Sequence, residues 1–344
     1  MRHDDSFTDE SFDEYAVYEA QFDPLYTERK ARRQRKPRAR HEQKDRHRQA
    51  IDALADPESL EGGFNTTYQP SKYEGGWLLQ SLRPFYDQGL ITDVLALVKG
   101  GKEASVYRCA ADASLGVEFV AAKVYRPRMF RQLRNDSLYR QGRAYLTADG
   151  RPVKKTDHRI MRAIGKKTDF GMQVAHTSWL MHEFAAMQRL HAAGANVPVP
   201  YATGPNAVLM SYVGDATLPA PMLSEVKLEQ EEAGPLFALV LRNLHLLLAA
   251  GFVHGDLSAY NLLYWAGSLT LIDFPQITDL DSNPNAARIL WRDVRRICEY
   301  FAPYHVCVDA DAIAASLWTR YAGPAAQAAP EELFPLEDDL DDAR

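Results

Sequence analysis

The chain has 344 residues, of which 46% are hydrophobic and 10% aromatic, so it can build the core of one large two-lobed domain or of two modest domains. Its three cysteines, Cys109, Cys298 and Cys307, form no C-x-x-C pair, which excludes a disulfide framework and a zinc knuckle and fits a reducing cytoplasm. The formal net charge of −6 identifies no partner, because acidic and basic residues are concentrated in separate segments.

Residues 1–60 form a charged segment with few apolar side chains. Acidic residues come first, and the stretch from Arg29 to Arg48 is then dominated by arginine and lysine. So few apolar residues do not offset the entropy lost on ordering, and we predict a flexible or partly helical arm. No apolar core of a secretory signal is present. The most apolar stretch, 236–252, is interrupted by Arg242, so we expect a buried helix there and no membrane span.

The middle of the chain begins with a β-rich half. A short amphipathic helix is expected at 77–86, and β-branched and aromatic residues predict strands at 93–99, 104–111, 118–125, near Tyr201 and at 207–213. A charged stretch of weak periodicity, 126–171, is predicted to be a long insertion. The helix predicted after it, 173–193, has an apolar stripe that includes Leu180 and Leu190.

The second half is predicted to be mostly helical, with helices at 231–251, 285–301 and 309–321. Strands followed by helices predict an α+β, bilobal fold with a cleft between the lobes. We place a β-rich N-lobe at 75–213, a helical C-lobe at 214–325 and an acidic tail at 326–344.

The strongest chemical signal is His254-Gly-Asp256-Leu-Ser258-Ala-Tyr-Asn261, followed by Leu271-Ile-Asp273-Phe. The five-residue step from Asp256 to Asn261 matches the catalytic loop of protein kinases, and Asp273 matches the aspartate of their D-F-G motif. Phosphoryl transfer needs a carboxylate near the attacking group and oxygen ligands for Mg²⁺. Asp256 is predicted to fill the first role, and Asn261 and Asp273 the second. The alternative is an aspartate-rich turn before a hairpin.

Lys123 lies within a strand of small and β-branched residues, where an ammonium needs a counter-charge. Glu183 lies on the apolar face of the 173–193 helix, where an acid is not expected unless it is paired. The two match the strand lysine and helix glutamate that orient ATP in kinases. The alternative is two separate surface charges.

Two further stretches fit a nucleotide site. The glycine turn that contains Gly101, Lys102 and Ser105 joins two strands, and its N–H groups could cover phosphates with the Ser105 hydroxyl as an added donor. The strand 208–213 could bind adenine through backbone groups between Ser211 and Val213, with Met210 at the back wall. The alternatives are an ordinary hairpin and an ordinary core strand.

These motifs resemble the RIO family of atypical kinases. The resemblance covers about residues 75–320 and is carried by 101–107, 210–214, 219–221, 254–261, 272–276, 283–286 and 292–294. It implies a bilobal kinase-like fold that binds ATP with Mg²⁺, or with Mn²⁺ in its place, and a flexible insertion after the lysine strand, here 126–171. It also implies Lys123 on the phosphates, Asp256 as the catalytic aspartate, and Asn261 and Asp273 on the metal. In this family the aspartate at the position of Asp273 can itself carry a phosphate, and members serve small-ribosomal-subunit maturation.

Two features depart from ordinary protein kinases. Ser258 stands where most of them carry a lysine, so one cation for the γ-phosphate is missing. About ten residues separate Asp273 from the next predicted helix, and no A-P-E motif follows, which disfavours a broad peptide kinase.

Two functional hypotheses follow. The first is an autophosphorylating or ATP-hydrolysing enzyme, which the complete set of Lys123, Asp256, Asn261 and Asp273 favours. The second is a nucleotide-gated module of negligible turnover that binds RNA or a ribosomal particle. The basic residues at 29–48 and in the insertion fit RNA phosphates, or they are only solvated loops.

Overall fold

A computed structural model describes residues 64, 66–101, 103–126, 143–147, 149–154, 156–166 and 168–322. The predicted arm at 1–60, the acidic tail at 326–344, residues 127–142 of the insertion and Lys102 lie outside the described residues. All described residues belong to one compact unit, Pro57–Arg344.

A five-stranded antiparallel sheet forms the N-lobe. Its strands are β1 (Ile91–Gly100), β2 (Ala104–Ala111), β3 (Phe119–Tyr125), β4 (Pro200–Thr203) and β5 (Ala207–Ser211), in the spatial order β1-β2-β3-β5-β4. Helix α1 (Lys72–Asp87) covers one face, where Leu78, Leu82 and Phe85 pack on Tyr107 and Val124. Side chains alternate between the faces of a strand, so the opposite face, with Val106 and Lys123, is directed toward the cleft.

One helix lies within the predicted insertion, and a second begins near its end. α2 (His158–Gly165) begins at Asp157, whose carboxylate accepts the Ile160 N–H at 3.3 Å, and α3 (Asp169–Ala192) begins at Thr168, whose hydroxyl accepts the Gly171 N–H at 3.2 Å. The insertion predicted at 126–171 therefore contains α2 and the first turn of α3, although the sequence predicted no helix before residue 173. The apolar residues of α2 span barely two turns, too short a run to give a clear helical period in the sequence.

The C-lobe is built from three helices and two small hairpins. The helices are α4 (Gln230–Ala249), α5 (Ala286–Phe301) and α6 (Ala310–Tyr321). The strands are β6 (Phe252–Val253), β7 (Leu262–Trp265), β8 (Ser268–Leu271) and β9 (Thr278–Asp279), paired as β6 with β9 and β7 with β8. The buried apolar faces of α3, α4 and α5 share one core cluster. The structure confirms the predicted α+β fold, with a β-rich N-lobe and a mostly helical C-lobe.

Among the helices of the described residues, α4 alone is long and apolar enough to cross a membrane, with a mean hydropathy of 1.2. Its apolar face, including Leu236, Val240 and Leu247, is buried in the C-lobe core. The helix is therefore packed as a core helix, which the sequence predicts for this stretch.

Candidate active site

A cavity of about 730 Å³ lies between the sheet and the C-lobe. Most of the residues predicted to bind nucleotide or metal line it: Gly101, Lys123, Glu183, Met210, Ser211, Val213, Asn261 and Asp273. They come from β1–β2, β3, α3, β5 and the two loops of the C-lobe, so the fold brings together segments that are far apart in the chain. Asp256 lies beyond this lining and is joined to it through Asn261.

The Ser105 hydroxyl does not lie at the cavity. In β2, Ala104 and Val106 line the cavity, whereas Ser105 is buried and faces Val124 across the ladder. Val124 and Tyr107 belong to the cluster beneath α1, so alternation along β2 places Ser105 on the α1 side of the sheet. The predicted contact of its side chain with phosphates is therefore not supported, because the face of a strand residue depends on a register that the motif did not contain.

Lys123 is the centre of a buried charge cluster. Its Nζ donates to Glu183 Oε1 at 2.7 Å and to Asp273 Oδ1 at 2.5 Å. Lys123 and Glu183 are 8% and 2% exposed, so neither charge is solvated by bulk water. The Tyr125 hydroxyl, two residues along β3, donates to Glu183 Oε2. Glu183, the acid on the apolar face of its helix, is therefore paired with the strand lysine, as predicted.

Burial and pairing act in opposite directions on these three groups. Burial by itself would lower the pKa of Lys123, but the carboxylates of Asp273 and Glu183 outweigh it and raise that pKa. Burial raises the pKa of Glu183, with the Lys123 ammonium opposing the rise. Burial raises the pKa of Asp273, but the charge of Lys123 and the hydrogen bond that it donates, together with weaker effects of His254 and Lys99, outweigh burial and hold that pKa below its usual value. The arrangement keeps Lys123 charged and Asp273 ionised.

Two side chains, one from the catalytic loop and one from α5, hold Asp256. Asn261 Nδ2 donates to the Asp256 backbone carbonyl at 2.8 Å and to Asp256 Oδ2 at 3.0 Å. On the other oxygen, Arg296 Nη1 lies 3.0 Å from Oδ1. Partial burial raises the pKa of Asp256, and Arg296 and Arg292 oppose that rise.

A buried aspartate on α5 fixes the backbone of the same loop. Asp293 is fully buried, and its Oδ2 accepts the Gly255 N–H at 2.9 Å. Arg292 donates to the Gly255 carbonyl and lies 3.1 Å from Asp293 Oδ1. The sequence analysis gave neither residue a role. The signal that reveals Glu183 was also present here, because Asp293 interrupts an apolar stripe that includes Leu290 and Ile297.

His254 links the catalytic loop to the metal loop. Its Nδ1 accepts the Asp256 N–H at 3.3 Å, and its Nε2 lies 3.2 Å from the Ile272 carbonyl, so Nε2 carries the proton. Burial lowers the pKa of His254, which fits this neutral form. The Phe274 ring packs on it at 5.2 Å between centroids. Asp273, between Ile272 and Phe274, has a φ of +71°, a backbone conformation that is strained for residues other than glycine.

The hinge predicted to bind adenine leaves the Val213 N–H available. The Ser211 N–H donates to the Val199 carbonyl at 2.9 Å, and the Val213 carbonyl accepts the Ala220 N–H at 3.0 Å. Within the described residues the Val213 N–H makes no hydrogen bond, and Val213 lines the cavity. Lys99, near the end of β1, also lines the cavity, and its Nζ lies 2.8 Å from Met222 Sδ. Lys99 was not predicted from the sequence as a site residue.

The segment between Asp273 and α5 is short and tied to the C-lobe. α5 begins at Ala286, β9 pairs with β6, and the Leu280 N–H donates to the Gly251 carbonyl at 2.9 Å. Thr278 is fully buried within this segment. Such a segment has no free stretch of the kind on which kinases dock peptides.

Comparison with known families agrees with this geometry. Residues 106–313, more than half of the chain, match the RIO domain. The chain belongs to the RIO family. Its motifs and its kinase-like fold are therefore those of a RIO protein, as the sequence resemblance predicted.

Several curated RIO proteins are similar in sequence. The RIO-type serine/threonine-protein kinase Rio1 of Haloferax volcanii is 33% identical over 216 residues, 63% of this chain and 66% of that protein. The human serine/threonine-protein kinase RIO1 is 26% identical over 228 residues, 64% of this chain and 35% of that protein. Human RIO3, also named a serine/threonine-protein kinase, is 36% identical over 122 residues, 35% and 23% of the two chains. The matched region thus spans just under two thirds of the Haloferax protein and about a third of human RIO1.

Proposed function

We propose that this RIO protein is an ATP-dependent atypical serine/threonine kinase whose γ-phosphoryl acceptor lies within its own chain. The observation that carries the proposal is the contact of Lys123 with both Glu183 and Asp273 at a cavity that Asn261 also lines. The names of the relatives, all serine/threonine-protein kinases, support the same class of reaction.

The cavity fits ATP in one direction. Met210 and the free Val213 N–H offer an apolar wall and a hydrogen-bond donor for the adenine base. The phosphates then extend toward Lys123 and the turn at Gly101. A side chain at Gly101 would meet the Ala104 carbonyl at 2.7 Å, so glycine lets the turn approach its own strand closely.

Asn261 and Asp273 supply oxygen donors of the kind that Mg²⁺ or Mn²⁺ prefers. Because Asn261 Nδ2 donates to Asp256, its Oδ1 is directed away from that bond and is available to a cation. The described part of the chain holds no group of three or more His, Cys, Asp or Glu side chains that could by itself bind a metal ion. Two protein donors, completed by phosphates and water, suit a phosphate-bound Mg²⁺. The ion would neutralise charge on the phosphates during transfer.

The acceptor we propose is either a serine or threonine of the chain or Asp273 itself. In the second case an Asp273 oxygen forms a bond to the γ-phosphorus, the bond to the β-phosphate oxygen breaks, and ADP leaves. Water then attacks the acyl phosphate, its proton passes to Asp256, and phosphate is released as the Asp273 carboxylate re-forms. The Asp273 side chain is 44% exposed, so its free oxygen is accessible. The short segment after Asp273 argues against an exogenous peptide as the main acceptor.

Mapping of the phosphorylated residue tests the proposal. After incubation with Mg²⁺ and γ-labelled ATP, label on Asp273 should be released by hydroxylamine, whereas label on serine or threonine should resist it. Asp256→Ala should slow turnover by about 10²–10⁴-fold. Asp273→Ala should abolish hydroxylamine-sensitive label, and Asp112→Asn, a change in the exposed β2–β3 turn, is the control. Label confined to serine or threonine would identify an autokinase and reject the aspartyl-phosphate. No label and no phosphate release would reject both.

A second candidate function is binding of RNA or a ribosomal particle, gated by nucleotide. One observation favours it: Arg159 and Arg162 of α2 and Lys166, its C-cap residue, are exposed and, at steps of three and four residues, share one face. The basic stretch 29–48 lies outside the described residues. The logarithm of RNA affinity should fall against the logarithm of salt concentration with a slope of about −0.7 per phosphate contact. Replacing the three α2 residues by alanine should flatten that slope, and deleting 1–60 should do so separately. Slopes unchanged in both variants would exclude these segments.

A further inference from the structure

The catalytic loop lacks a cation that most protein kinases carry at this place. Charge develops on the transferred phosphoryl group, and most protein kinases place a lysine two residues after the catalytic aspartate, where this chain has Ser258. A serine hydroxyl donates a hydrogen bond but carries no positive charge. The inference below rests on the proposed phosphoryl transfer and concerns the source of the missing charge.

Arg296 brings a guanidinium to the same carboxylate from another part of the chain. It lies on α5, forty residues after Asp256, and its Nη1 is 3.0 Å from Asp256 Oδ1. Asn261 holds the other oxygen, so the carboxylate is fixed from two sides. The Arg296 side chain is 26% exposed, and within the described residues its guanidinium makes this single hydrogen bond. Its other N–H groups are therefore available to an anion beside Asp256.

Helix α5 makes this placement rigid. Asp293, one turn before Arg296, accepts the Gly255 N–H, and Arg292 donates to the Gly255 carbonyl. These contacts fix the loop backbone one residue before Asp256, so the distance between α5 and the carboxylate is set without Arg296. A partly exposed ion pair adds little to stability in any case. Anchoring the loop therefore does not require Arg296.

We propose that Arg296 is a positioning residue that replaces the missing loop lysine, holding the Asp256 carboxylate and placing positive charge beside the transferred phosphoryl group. A guanidinium suits this task, because its planar fork can contact a carboxylate and a phosphate at once and it stays charged at every physiological pH. The catalytic loop thus supplies Asp256 and Asn261, whereas α5 supplies the cation.

Relocating the charge tests this inference. In the full chain, with Mg²⁺ and ATP, Arg296→Met should lower kcat by about 10²-fold, the effect of removing one preorganised donor to developing charge, and leave KM nearly unchanged. Arg296→Lys should keep most of the activity. Adding Ser258→Lys to Arg296→Met should restore at least about tenfold in kcat, because it returns a cation to the usual loop position. Arg295→Met removes the neighbouring arginine, whose partner is Asp311 at 3.2 Å, and should behave like the unmutated chain.

Other outcomes separate the failure of this inference from that of the proposed function. If the unmutated chain neither releases phosphate nor labels itself, the proposed function falls and this inference falls with it. If it is active and Arg296→Met is equally active, only the role of Arg296 is overturned. If Arg296→Met is inactive but neither lysine variant recovers activity, and the melting temperature falls in parallel, Arg296 is a structural residue.

Discussion

Removing the Lys123 ammonium should destabilise the fold through Glu183 as well as weaken nucleotide binding. In Lys123→Met, Glu183 remains 2% exposed and loses its cation at 2.7 Å. Breaking a buried pair from one side costs about 3–5 kcal/mol. The Tyr125 hydroxyl still donates to Glu183, so we expect the lower end, about 3 kcal/mol at neutral pH.

The loss should depend on pH with a defined sign. Burial already raises the pKa of Glu183 above 4.5, and without Lys123 nothing nearby of equal strength opposes it. A folded-state pKa above the unfolded value means that the folded protein binds the proton more tightly, so stability falls as pH rises through the interval between the two values. Asp273 acts in the same sense, because Lys123 lowers its pKa and that stabilisation is present only above its unfolded pKa. The difference from the unmutated chain should therefore be small near pH 4 and grow toward pH 7.

Urea unfolding midpoints at several pH values measure this effect. Glu183→Gln added to Lys123→Met should recover much of the loss, because a neutral amide needs no cation. Lys99→Met is the matched control: Lys99 also lines the cavity but is exposed and contacts a methionine, so its loss should be within about 0.5 kcal/mol. A Lys123→Met protein whose stability equals that of the unmutated chain at pH 7, or a double variant less stable than Lys123→Met, would refute the reasoning.

Two further substitutions test the loop supports. Gly255→Ala should displace the catalytic loop and abolish turnover, because at φ +89 the added Cβ would lie 2.1 Å from the Gln276 carbonyl oxygen. The control is Gly251→Ala, whose Cβ would lie in open space at φ +80 and should cause backbone strain alone. Equal activities of the two variants would contradict this prediction. Asp293→Asn should lower stability by about 3 kcal/mol and slow turnover, since it weakens a buried ion pair, as urea unfolding and ATP assays would measure. Asp311→Asn, which changes an exposed ion pair, should alter neither stability nor turnover. If the Asp293→Asn protein is as stable and as active as the Asp311→Asn protein, Asp293 does not anchor the loop.

The parts of the site that could be predicted from the sequence are those that depend on the spacing of residues within one loop or one helix. The five-residue step from Asp256 to Asn261 lies within one loop, and an acid at Glu183 stands out against the apolar stripe of its own helix. The same reasoning applied to α5 would have found Asp293. The lobes followed from the order of strands and helices, because strands before helices constrain the layers that can form.

The parts that sequence missed depend on register or on distant pairing. Whether Ser105 faces the cavity or α1 is decided by its pairing with Val124, which a glycine motif does not contain. The contact between Arg296 and Asp256 joins residues forty positions apart, and either looks like an ordinary charge when read alone. Helix α2 is only eight residues long, so its apolar residues are too few to show a helical period among the charged ones.

Nucleotide binding by the cleft is the central claim, and isothermal titration with Mg²⁺ and a non-hydrolysable ATP analogue tests it most directly. We predict one site per chain in the unmutated protein and binding at least tenfold weaker in Lys123→Met, the loss of about 1.4 kcal/mol from one phosphate contact. At 100 times its dissociation constant the analogue should stabilise the unmutated chain by about 2.7 kcal/mol. No binding heat with the unmutated chain, or equal affinity in folded Lys123→Met, would contradict the placement of ATP between Val213 and Lys123.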